Sequence, residues 1–121
     1  MAFRTPVLVL HTRGRQSGRA RSTTLAFKRM DDGSLMVVGG AGGQARLPDW
    51  VANLRAEPEA AVTIDRARIE VHAVELTGAE REETWLKLRS VWPRIETYER
   101  RAGRTVPVLK LIPVAESPPP R

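Results

Sequence analysis

Between an apolar run at Val7–Leu10 and an alternating one that begins at Arg21, the segment His11-Thr12-Arg13-Gly14-Arg15-Gln16-Ser17-Gly18-Arg19-Ala20-Arg21 carries four arginines and two glycines. Guanidinium forks match carboxylates and phosphates, and the glycines allow a tight turn that exposes backbone N–H groups. The segment reads as an anion cradle. It is not a nucleoside triphosphate loop, which needs Gly-Lys-Ser/Thr where this chain has Gly18-Arg19-Ala20. A second glycine cluster, Gly39-Gly40-Ala41-Gly42-Gly43, would let a ligand approach the backbone, and Trp50 beyond it is placed to stack on a ring. Its loose dinucleotide fingerprint fails on Pro48, which would fall inside the helix that such a site requires.

Other chemistry is sparse. With no cysteine, disulfides, thiolate zinc sites and cysteine nucleophiles are excluded, so redox chemistry has to come from a cofactor. His11 and His72 lie in separate strand-like runs without carboxylates at ligand spacing, so they read as strand histidines and no metal site is expected. Ser17 has no histidine near it in sequence and no elbow motif, which leaves it as a hydroxyl donor to an anion. A net charge of +6 favours an acidic partner: nucleic acid, anionic lipid or a polyanionic small molecule. Only 5% of residues are aromatic and no stacking stripe alternates with the arginines, so a basic barrel binding single-stranded nucleic acid is the rival, and nucleic acid is not the expected partner. No apolar run approaches the length of a membrane span, so the expectation is a cytoplasmic protein without membrane insertion.

These groups must be held by a small domain. Val7–Leu10 predicts a buried strand, residues 21–29 a half-wet one, Asp31-Asp32-Gly33 a hairpin turn, and Ser34–Gly39 its return strand. Pro48-Asp49-Trp50 opens a short helix that ends before Pro58. Ala60–Asp65 and Arg68–Glu75 alternate as a strand pair. Thr77-Gly78-Ala79-Glu80 has the form of a capping box for a helix with Trp85, Leu88 and Trp92 on one face. Pro93 interrupts it, Arg94–Arg101 forms a second piece closed by Gly103, and Val106–Ile112 is a last strand. The order predicts a mainly β fold, a small barrel of about six antiparallel strands with short helices at its openings. Residues 1–113 form this single domain, and 114–121 are expected to be a disordered proline-rich tail.

Residues Leu10 to Leu25, then Gly42-Gly43 with Pro48, Trp50, Asn53 and Leu54, then residues 75–81, and finally Tyr98 and Val106-Pro107-Val108, together resemble the deazaflavin (F420)-dependent nitroreductase family in order and spacing. The resemblance implies a split β-barrel of FMN-binding type that holds coenzyme F420, with FMN the lesser candidate. It implies an oxidoreductase passing hydride between the deazaflavin and a small organic acceptor: an activated alkene, a quinone or a nitro compound. By the same likeness Arg15, Gln16, Ser17, Gly18 and Arg21 hold the phosphate and glutamate tail. Gly42, Gly43, Trp50 and Asn53 lie along the ring and its ribityl chain, Arg46 reaches the tail from the far side, and Tyr98 is the catalytic proton donor or a helix anchor. The chain departs from the family pattern at Gln16, at Gly40-Ala41, at Trp92-Pro93 and at Ile95, which removes a lysine and several hydroxyls and argues against nitroreduction. A binding protein without catalysis is the alternative these losses leave open, and the protein is expected to be a monomer or homodimer.

Overall fold

A computed structural model describes residues 5–40 and 43–114 of the chain. In chain order the elements are β1 (Val7–Arg13), β2 (Ala20–Ala26), β3 (Lys28–Arg29), β4 (Leu35–Val38), α1 (Asp49–Ala56), β5 (Glu59–Ile64), β6 (Ala67–Glu75), α2 (Gly78–Val91), α3 (Ile95–Ala102) and β7 (Val108–Pro113). All strand pairs are antiparallel, in one seven-stranded sheet of order β2-β1-β5-β6-β7-β4-β3. The two edges, β2 and β3, are consecutive in the chain with only Phe27 between them. One stretch therefore belongs to both ends of the sheet, which can happen only if the sheet curls back on itself. Phe27 is buried at this seam, and its N–H donates to the Pro6 carbonyl at 3.1 Å.

The strand read over residues 21–29 is thus two strands with a seam. β1 runs to Arg13, three residues past its expected end, because its register with β2 continues to Arg13↔Ala20. The loop between them shrinks to Gly14–Arg19. Asp65 and Arg66 make the β5–β6 turn with φ of +49° and +71°, a left-handed pair without the glycine that would mark it in sequence. At the Asp31–Gly33 turn, the Ser34 hydroxyl and N–H both donate to Asp32, and these bonds hold its carboxyl below the ordinary carboxylate value.

Two apolar clusters fix the curvature. Inside the barrel, Leu8, Leu10, Leu35, Val37, Val62, Val71, Leu109 and Leu111 pack with Phe27 and with Trp50, Val51 and Leu54 of α1. Outside it, Met36 and Val108 meet Leu88 of α2 and Ile95 of α3, with Trp85 and Trp92 alongside. The unbroken run Leu35-Met36-Val37-Val38 is explained by this: alternate side chains serve opposite clusters, so β4 is covered on both faces. Trp85 and Leu88 of α2 pack in one cluster, as their spacing predicts, and Trp92 joins it from the C-cap position, one residue past the helix. Thr77 does begin α2, but its side chain makes no cap bond, and Glu80 instead reaches Lys110 at 3.5 Å. Gly103 closes α3 in the left-handed conformation at φ +64°. Val114 N–H donates to the Glu70 carbonyl at 2.9 Å, and the rest of the expected tail, 115–121, lies outside the described residues.

Candidate active site

The β1–β2 loop is built by its own bonds. Gly14 N–H donates to the Arg19 carbonyl and Gly18 N–H to the Gly14 carbonyl, both at 2.8 Å, and Gly18 sits at φ +70°. Arg19 N–H donates to Ser17 Oγ at 3.1 Å. Asn53 of α1, only 4% exposed, accepts both the N–H and the Nη1 of Arg15 on one oxygen, at 3.1 and 3.0 Å. The amides of Gln16 and Ser17 have no partner among the described residues, which leaves two backbone donors unpaired in an exposed turn flanked by arginines.

Facing this loop is the start of α1. Between them lies an open groove of about 750 Å³, a usual size for a cofactor or drug-sized ligand. Arg15, Gln16, Ser17 and Arg21 form one wall, and Arg46, Trp50 and Asn53 the other. The N-terminal end of α1 adds its partial positive charge to that of three arginines. The sequence thus placed seven of its candidates on one groove, although they come from segments some thirty residues apart.

The other candidates fall elsewhere. Gly18 shapes the loop without lining the groove, and Gly42 lies outside the described residues. Gly43 packs on α3: a Cβ there would come within 2.9 Å of Arg101 Cβ, and its φ is +91°. Gly40 lies against the Tyr98 ring, and Gly39 against Val51 and Pro107. The described glycines of this cluster serve close packing of helices where a ligand's approach was expected. Trp50 lines the groove but is 8% exposed and packed in the barrel core, so only a small part of the indole faces the ligand space. Asn53, expected along the ribityl chain, spends its carbonyl oxygen on Arg15.

Tyr98 lines a second, apolar pocket of about 370 Å³ with Trp92, Pro93 and Ile95. Its hydroxyl has no hydrogen-bond partner among the described residues. Leu25 and Val38 line both this pocket and the groove, so the two cavities share a floor. Two further residues matter that the sequence does not mark for the site, where Asp49 reads only as part of a helix opening. Arg104 donates to the carbonyls of Gly39, Gln44, Ala45 and Arg46 at 3.0 to 3.4 Å, tying down the segment that leads to α1. Asp49 presents a carboxylate to the groove, 3.3 Å from Arg46 and 3.7 Å from Arg15.

A polar, arginine-walled groove opening onto an apolar pocket suits a large anionic cofactor beside an organic acceptor, and comparison with known proteins decides which. Residues 2–113 match the F420H2-dependent quinone reductase family. The chain belongs to that family. It is therefore an F420-dependent oxidoreductase, and coenzyme F420 is its cofactor. It is 32% identical to a putative F420H2-dependent quinone reductase of Mycobacterium tuberculosis, over 92% of this chain and 94% of that one. It is 30% identical to another F420H2-dependent quinone reductase of the same organism, over 88% of this chain and 72% of that one. Among solved structures, an F420-H2 dependent reductase (FDR-A) superposes with a TM-score of 0.76 at 28% identity, covering 88% of this chain and 93% of the other. The family and the two curated relatives carry the quinone reductase description, not the nitroreductase label of the sequence resemblance, and the split barrel of that resemblance agrees with the curled sheet.

The groove fits F420. That cofactor carries a phosphate and glutamates, and the wall offers free amides, three guanidinium groups and a helix N-terminus. Among the described residues no helix is long and apolar enough to cross a membrane.

Proposed function

We propose that the protein reduces a quinone or a similarly flat, apolar activated alkene, with F420 in the groove and the acceptor in the pocket lined by Trp92, Ile95 and Tyr98. The shared floor carries this reading: Leu25 and Val38 border both cavities, so two ligands lying on it would be neighbours. When bound, reduced F420 supplies a hydride from its ring carbon 5.

The chain's residues position and protonate. Arg15, Arg21 and Arg46, with the Gln16 and Ser17 amides, hold phosphate and carboxylates, while Asn53 fixes the Arg15 fork. Trp50 closes the wall, and Gly18 and Gly43 shape the two loops. Leu25, Val38, Trp92 and Ile95 exclude water from the acceptor, and the Tyr98 hydroxyl, without another partner among the described residues, donates the proton that completes the reduction at the acceptor oxygen. Ile95 offers only hydrocarbon, and Tyr98 is the one hydroxyl lining the pocket among the described residues, which favours a quinone over a nitro group.

The test is oxidation of reduced F420, followed by the return of its absorbance, with a quinone, an activated alkene and a nitroarene in turn. Fastest turnover with the quinone is expected. A faster nitroarene, or oxidation with none of the three, would overturn the assignment, and FMN run in parallel reports cofactor preference.

A further inference from the structure

The cradle that should collect anions contains one of its own. Asp49 Oδ1 lies 3.3 Å from Arg46 Nη2 and 3.7 Å from Arg15 Nη2, so a single carboxylate oxygen is shared by guanidinium groups from opposite walls. Arg15 is held in that position independently, by Asn53, so one of the two guanidinium groups that meet Asp49 is anchored. The Asp49 side chain is 64% exposed, which leaves it at the groove surface where an arriving anion meets it. An acid in the first turn of a helix normally answers the helix dipole alone. Here it also takes up two of the three arginines that line the groove.

On the reading of this groove as the F420 site, we propose that Asp49 is a charge filter, a specificity-determining residue that biases the groove toward cofactor tails of few negative charges. The physical reason is linear. Repulsion between Asp49 and a ligand grows with each ligand charge brought within about a Debye length, roughly 8 to 10 Å. A single phosphate shares the arginines with Asp49 at little cost. A tail with several carboxylates meets the same two arginines already partly neutralised, and every added charge is opposed again. Removing the charge while keeping the shape should therefore help a highly charged ligand more than a lightly charged one.

The experiment compares wild type with Asp49→Asn, which retains size and hydrogen-bonding capacity, and with Asp49→Ser, a short polar group that suits a helix start, should the first variant fold poorly. Two ligand pairs are titrated at low salt: F420 with one or with several glutamates, by fluorescence, and inorganic phosphate or tripolyphosphate, by calorimetry. An exposed pair of this kind corresponds to about a two- to fivefold effect per ligand charge. The expected result is that the preference for the higher-charged member of each pair rises at least threefold in the variant. Equal tightening of both members, no tightening, or weaker binding would overturn the filter and leave Asp49 as a helix-terminus acid or a brace for the arginines. Failure of wild type to bind F420 would refute the cofactor placement separately, and the polyphosphate ratio would still decide the role of Asp49.

Discussion

Two loops of this protein carry glycine, and Gly18 of the first is used differently from the described glycines of the second. In the Gly14–Arg19 loop a Cβ at Gly14 would lie 2.7 Å from Ser17 Oγ, but Gly18 takes a positive φ with no atom within 4 Å of where a Cβ would stand, so Gly18 serves backbone direction and leaves space open. In the loop that begins at Gly39, a Cβ at Gly39 would lie 2.9 Å from Val51 and one at Gly40 would lie 3.3 Å from Tyr98. There the missing side chain is filled by a neighbour. Glycine content alone therefore does not mark a ligand loop. What separates the two is how they are held: the first by bonds among its own residues, and the second by Arg104, which donates to the carbonyls of Gly39 and Gln44.

The contrast can be broken most strongly on the ligand side. Replacing Arg15 and Arg21 together by Ala should weaken F420 binding by about 3 kcal/mol, roughly 150-fold, while the melting temperature barely moves, charge-assisted bonds being worth about 1.5 kcal/mol each. Unaltered affinity in a folded double mutant would place the anion site elsewhere. Tyr98→Phe keeps the ring that packs on Gly40 and removes only the phenol, so turnover should fall about 100-fold with F420 affinity unchanged. Normal turnover would make Tyr98 an anchor.

On the packing side, Arg104→Ala strips four carbonyls of their donor and should lower stability by about 2 to 3 kcal/mol in urea unfolding. Gly39→Ala forces a methyl against Val51 and should cost about 2 kcal/mol, read as a drop in melting temperature. The smallest effect is expected for Gly18→Ala, about 1 kcal/mol of left-handed strain without any clash. If the two glycine variants lost the same stability, the distinction between the loops would fail.

Much of this was legible in the chain because its signals are local. The Asp31-Asp32-Gly33 turn, the helix opening at Pro48 and Gly103 each depend on a few adjacent residues, and the structure has them where the sequence does. The arginine cradle was legible because residue type alone gives guanidinium its chemistry. What escaped was long-range. Arg104 meets carbonyls 58 to 65 residues earlier, and nothing in the residues around it points there. Trp50 looked free because it follows a glycine cluster, yet α1 turns it into the barrel, where burying an indole outweighs leaving it for a ligand. The Asp65-Arg66 turn escaped because its left-handed residues are not glycine.

The seam at Phe27 bears on how accurately two reactants can be held. Leu25 stands two residues before it at the end of β2, and β3 just after it pairs with β4, the strand that carries Val38. The surface on which cofactor and acceptor would meet is therefore suspended from a joint in the barrel wall and not from either loop. Loops can change length or sequence without altering that spacing. That spacing is set by the hydrogen-bonded register of the sheet, so a change to the lining side chains alters what the pocket accepts without altering the alignment.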